Sequence, residues 1–238
     1  NYTQKHTALI NIEGVVTPTG INTSETIKLV QQAMDNQMCE NIILKINSPG
    51  GSATQSKIIF DEINELKSSS KKKIYSVIDD VGASGGYYIA ASGNMIFANS
   101  SSIVGSIGVR LDSFNVESLA KKLGIESRTI SSGGDKLILD PFQSLTSEHK
   151  EHLQSLVTGI HKEFIDDIKI ARGSVLQTDK VFTGLFWTGV QAKELGLIDE
   201  VGSIYDVNRK YLNNSTLIVY NKKPNFLQEL TRSIVSNW

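Results

Sequence analysis

The most pointed chemical signal in this 238-residue chain is a serine set among small residues, Gly82-Ala83-Ser84-Gly85-Gly86. A serine that opens a helix between such neighbours keeps its Oγ accessible, with the positive end of the helix dipole behind it. That arrangement suits a nucleophile, although a small-residue helix start explains the same five residues. A second glycine-rich turn, Pro49-Gly50-Gly51, closes an earlier apolar run. Backbone N–H groups at Gly50 and Gly51 would be unobstructed by side chains, which suits an oxyanion hole. A tight strand-to-helix turn would ask for the same glycines.

A nucleophilic serine needs a base. The histidines are His6, His149, His152 and His161, and none lies in the last 77 residues. An α/β-hydrolase places its histidine after the serine and the acid, usually late in the chain. Here three of the four fall on one long amphipathic stretch, where they read as ordinary helix residues. Lysine can serve instead if burial brings its pKa from about 10.4 towards 7 or 8. Lys136 stands out, because it sits in a long glycine-rich loop and is followed by Leu137, Ile138 and Leu139. Its neighbour Asp135 works against that role, since an adjacent carboxylate raises an amine's pKa. Asp135 is therefore expected to point away. The single cysteine, Cys39, excludes an intrachain disulfide and a cysteine-based zinc cluster, and is expected to be a small buried apolar residue.

The elements that must carry these residues alternate between strand and helix. Strands are predicted at residues 8–12, 41–46, 74–78, 95–98, 103–109, 126–130, 197–201 and 217–220. Helices are predicted at 23–38, capped by Thr23 or Ser24, then at 53–67, 87–92, 116–123 and 146–171, with partial helix over 181–195. Residues 131–145 read as a long loop, and loops of that length are commonly functional or mobile. Both glycine turns fall at strand ends, where open α/β sheets bind ligands. The order predicts a layered α/β fold of mostly parallel strands in one domain spanning residues 1–238. A last amphipathic helix over 226–238 would carry Phe226, Leu227, Leu230, Ile234 and Trp238 on one face.

Composition narrows the classes. Lys+Arg 24 against Asp+Glu 25 leaves a net charge of −1, and no basic stripe argues for nucleic acid. Hydrophobic residues at 39% fit a globular domain that buries roughly 70% of its unfolded surface. No run approaches the 18 or so apolar residues of a membrane span. The chain opens with Asn1 rather than Met, so a trimmed or processed form is expected, from which a membrane anchor could have been removed.

Taken together, several segments resemble the signal peptide peptidase A family of Ser-Lys proteases, peptidase family S49. They are Ile46-Asn47-Ser48-Pro49-Gly50-Gly51, Val81 to Ala90, Ile103-Val104-Gly105-Ser106-Ile107-Gly108-Val109, Gly133-Gly134-Asp135-Lys136 with Leu139-Asp140-Pro141-Phe142, and Gly196-Leu197-Ile198-Asp199-Glu200. The resemblance implies a ClpP/crotonase-like fold with Ser84 as nucleophile and Lys136 as general base. It implies that Ser106 orients the lysine amine. The oxyanion donors would be the N–H groups of Gly50 and Gly85, with Gly51 shaping the turn. It also implies an oligomer, an octameric ring, in which one site takes residues from adjacent subunits. No metal or other cofactor would be needed. Substrates would be remnant signal peptides and other unfolded, membrane-proximal chains, and the domain would lie outside a bacterial cytoplasmic membrane. A catalytically inactive ring scaffold, a histidine-dependent esterase and an acyl-CoA enzyme of the same fold are the competing readings.

Overall fold

The computed structural model describes residues 3–221, so the amphipathic stripe expected over 226–238 lies outside the described residues. The chain begins with β1 (His6–Val16), α1 (Thr23–Asp35), β2 (Cys39–Gly51), α2 (Ala53–Ser68), β3 (Lys73–Ala83) and α3 (Gly85–Ala90). Two short strands follow, β4 (Met95–Ala98) and β5 (Ile103–Gly105), then α4 (Glu117–Lys122) and the long α5 (Ser147–Arg172). The remainder is β6 (Phe186–Thr188), α6 (Gly189–Glu194), β7 (Glu200–Val201), α7 (Ile204–Tyr211) and β8 (Leu217–Val219).

The strands form one sheet in the order β6-β5-β3-β2-β1-β8, with β4 and β7 branching from β3. All pairings are parallel except that of β5 with β6. Strand β3 forks: Tyr75–Ile78 pairs with β4, whereas Val81–Ala83 pairs with β5. Alternation along β1 and β2 explains the layering. Ala8, Ile10, Ile12, Ile42, Leu44 and Ile46 face the larger core, shared with Ile59 and Ile63 of α2 and with Phe164 and Ile168 of α5. Ile43, Tyr75, Val77 and Phe97 face the other way and meet Val207 of α7. Cys39 is buried in the first core as expected, and burial pushes its thiol pKa up.

Several boundaries differ from the sequence reading, each for a local reason. Asn22, not Thr23 or Ser24, caps α1, its side chain accepting from the Glu25 N–H, and the helix stops at Asp35. Residues 126–130 form no strand: they run exposed along the surface with Ile130 fully open, and β-propensity without a sheet edge to pair makes no ladder. The strand expected over 103–109 ends at Gly105, because Ser106 takes a φ of 52° and turns the chain out of the sheet. The strand expected over 197–201 shrinks to Glu200–Val201. Helix α7 was not anticipated; its Ser203–Asp206 capping box is present in the sequence but stands among few apolar residues.

Candidate active site

Ser84 sits where β3 passes into α3, with φ 51° and ψ −122°. This backbone conformation is rare for a residue with a side chain and persists only where the surroundings hold it. They do: the Ser84 N–H donates to the Gly105 carbonyl at 2.8 Å, and its own carbonyl accepts from the Tyr88 N–H at 3.0 Å. The side chain is half-buried and lines a cleft of about 1080 Å³. Pro49, Gly50, Gly51, Gly85 and Ser106 line the same cleft. Close packing against α2 explains the glycine after Ser84, since a Cβ on Gly85 would fall 2.2 Å from Ser56 Oγ.

The two glycines of the earlier turn are not equivalent. The Gly50 N–H donates to Oγ of the fully buried Ser48 at 3.1 Å, so it is already engaged within its own strand. Gly51 pairs with Val16, and the next N–H, that of Ser52, donates to the Val16 carbonyl at 2.8 Å. Alternate residues of a strand bond to opposite neighbours. The Gly51 N–H is thereby turned away from β1. Gly51 and Gly85 both line the cleft beside Ser84.

Ser106 has the second strained backbone of the site, held by its N–H bond to the Leu185 carbonyl at 2.7 Å. Its neighbour Ile107 offers a carbonyl to the Gly184 N–H at 3.1 Å and to His161 Nε2 at 3.1 Å. His161 reaches the cleft from α5, but its Nε2 proton is committed to that carbonyl. His149 is bonded to Asp135, and His152 is exposed to solvent.

Lys136 is exposed on the short 3-10 turn Gly134–Leu137. It is not among the residues that line the cleft beside Ser84. The lysine that does line it, Lys57, is paired with Asp61 at 3.2 Å and Asp167 at 2.9 Å. Partial burial pulls the Lys57 ammonium down, but those carboxylates outweigh it and hold the amine above its usual range, making it a poor base. Burial lowers Lys67, yet its Nζ donates to the Ser92 carbonyl at 2.6 Å and it too stands outside the cleft. The floor of the cleft is aromatic: Tyr88 stacks on Phe164 with ring centroids 4.2 Å apart. The Tyr88 hydroxyl donates to Asp167, and burial together with that carboxylate keeps the phenol protonated. Sequence reasoning missed Lys57, Tyr88 and Phe164, whose spacing marks only helix faces.

Comparison with known proteins classifies the chain in two steps. Residues 4–104 match the Clp protease family, which together with the parallel sheet defines an α/β protein of ClpP/crotonase-like fold. Residues 66–217 match the family described as Peptidase family S49. The chain belongs to peptidase family S49, the signal peptide peptidase family of serine-type proteases.

Among its relatives is the Na(+)/H(+) antiporter NhaA of Brucella melitensis, 41% identical over 191 residues, which are 80% of this chain and 26% of that protein. "Putative protease MJ0651" of Methanocaldococcus jannaschii is 34% identical over 84% of this chain and 65% of its own length. The chloroplastic serine protease SPPA of Arabidopsis thaliana is 32% identical over 76% of this chain and 27% of its own. The chain thus spans about a quarter of the Brucella relative and just under two thirds of the archaeal one. Among the described residues, no helix is long and apolar enough to cross a membrane.

Proposed function

We propose that the protein is a serine endopeptidase in which Ser84 attacks the scissile carbonyl and Lys136 acts as general base. The observation that carries this reading is the strained Ser84 elbow opening into the same cleft as Gly51, Gly85 and Ser106. Neutral Lys136 takes the Ser84 proton as Oγ adds to the carbonyl. The Gly51 and Gly85 N–H groups receive the developing oxyanion, each such donor contributing about 10²–10³ in rate. The lysine then hands its proton to the leaving amine, and water resolves the acyl-enzyme. Ser106 orients the amine from the far side of the cleft.

Because Lys136 is exposed and does not line the Ser84 cleft of its own chain, the base is supplied by a neighbouring copy. The segment around it supports this, for Phe114, Leu123 and Ile130 lie 82%, 65% and 100% exposed on one chain. Contact with a neighbouring copy would take these open apolar side chains out of water. The assembly is an oligomer, with an octameric ring as the arrangement the family suggests. Its substrates are remnant signal peptides and other unfolded polypeptides near a bacterial cytoplasmic membrane. The protein is held there by an anchor, its catalytic domain on the outer face.

Complementation tests the reading. Ser84→Ala and Lys136→Ala should each abolish hydrolysis of a fluorogenic peptide rich in small residues, with folding and oligomer size unchanged. Mixing the two after subunit exchange should restore about a quarter of the wild-type sites, since only adjacent unlike copies assemble one. Near-wild-type turnover by Lys136→Ala would refute the dyad and return attention to His161. Failure of the mixture, with both single variants inactive, would place the lysine in its own chain.

A further inference from the structure

The carboxylate next to the base is taken out of play by a second residue. Asp135 adjoins Lys136 on the turn Gly134–Leu137, and free in solution it would sit within reach of the amine. In the fold its Oδ1 accepts from His149 Nε2 at 2.9 Å. His149 lies in the first turn of α5, where its backbone N–H donates to the capping Thr146 Oγ1 at 3.1 Å. Its side chain is 21% exposed, against 86% for Asp135, so the histidine is the anchored partner and the aspartate the one drawn in. The loop between them is braced by its own bonds, the Val116 N–H to the Pro141 carbonyl at 2.7 Å and the Phe142 N–H to Asp140 Oδ1 at 2.8 Å. The other charged groups near by on α5, Glu148, Lys150, Glu151 and His152, are exposed to solvent.

We propose that His149 is a positioning residue for the base: by holding the Asp135 carboxylate against α5, it keeps that charge from stabilising the Lys136 ammonium. The inference rests on Lys136 being the general base. It resolves the difficulty that the Asp135-Lys136 dipeptide poses, because a carboxylate engaged elsewhere no longer opposes loss of the proton. The bond does not require a charged imidazole. A neutral ring still donates from Nε2, so the restraint persists at the alkaline pH where a lysine base becomes active.

The test is the pH profile of kcat/KM for peptide hydrolysis by the assembled enzyme. His149→Ala leaves the Thr146 cap intact, because that bond uses backbone. It should move the rising limb alkaline by about one pH unit, a loss of about tenfold below the limb and little above it. His149→Gln, which can still donate to Asp135, and the double variant His149→Ala/Asp135→Asn should both return the limb towards wild type. Asp135→Asn alone should leave the limb where it is. An unmoved limb in His149→Ala, or no rescue by Asp135→Asn with oligomer size and melting temperature unchanged, would overturn the proposal. So would an acid shift in Asp135→Asn alone, which would show that Asp135 faces the amine in the wild type. Activity in Lys136→Ala would instead indict the dyad, a separate result.

Discussion

Arg172 and Asp199 meet inside the protein as a two-pronged ion pair, with Nη2 donating to Oδ1 at 2.9 Å and Nη1 to Oδ2 at 3.1 Å. The arginine side chain is only 6% exposed, and its Nε donates to the Gly196 carbonyl at 2.9 Å. Asp199 Oδ2 also accepts from the Ile96 N–H at 2.7 Å. One contact therefore ties the end of α5, the turn after α6 and the start of β4. The Tyr87 hydroxyl donates to the Leu197 carbonyl at 2.6 Å, which extends the tie to the helix behind Ser84.

Removing the arginine should be severe. Arg172→Met strips the partner from a part-buried carboxylate and should lower unfolding free energy by about 3–5 kcal/mol. A shift of the urea midpoint measures it. The double variant Arg172→Met/Asp199→Asn should lose less than the single, because no uncompensated charge is left behind. Equal losses would show that the pair contributes packing alone.

A methyl group on Gly50 would stand 2.6 Å from Gly85 N and 2.9 Å from Ser84 Cβ, at a φ of +96° that disfavours any side chain. Both effects push the turn apart where Gly51, Ser84 and Gly85 meet at the cleft. Gly50→Ala should lose at least about a hundredfold in kcat, the scale of one misplaced oxyanion donor. Labelling of Ser84 by an activated phosphonate should slow in parallel. Turnover within a few-fold of wild type would show that the turn can relax without disturbing the site.

Asp206 gives α7 a dependence on acid. Its carboxyl is held down at about 2, first by the Ser203 hydroxyl, then by the Ser203 backbone N–H, with Arg209 adding to both. The folded pKa lies below the ordinary value of 3.8, so the contribution to stability is complete above that value and is lost as pH falls through about 2. Asp206→Asn should melt earlier than wild type at pH 7, and the two melting temperatures should converge near the lower pH. A constant gap across that window would contradict the assignment.

The strand-helix order, the glycine turns and the placing of Ser84 at a strand end were legible because each rests on a local signal. Ile42, Leu44 and Ile46 alternate on one strand, and Gly50, Gly51 and Ser84 stand where strands must end. What was not legible depends on partners distant in sequence. The N–H of Gly50 is engaged by Ser48 Oγ, a bond visible only once the turn is folded. Residues 126–130 have the composition of a strand but no edge to join. The engagement of Asp135 by His149, fourteen positions away, follows from how the loop folds back onto α5.

Pairing of β1 with β8 also sets an order of events during synthesis. The Asn11 N–H donates to Asn221 Oδ1 across a separation of 210 residues, and Thr7–Leu9 align with Leu217–Val219. Contacts so distant form late, because the intervening chain must be closed into a loop first. On the ribosome, strands β1, β2 and β3 can assemble with the Ser84 turn while the outer side of β1 has no strand beside it. The nascent protein thus holds β1 with one side unpaired until residues 217–219 have emerged. In that interval the open strand is the part of the chain most exposed to mispairing and most dependent on chaperones.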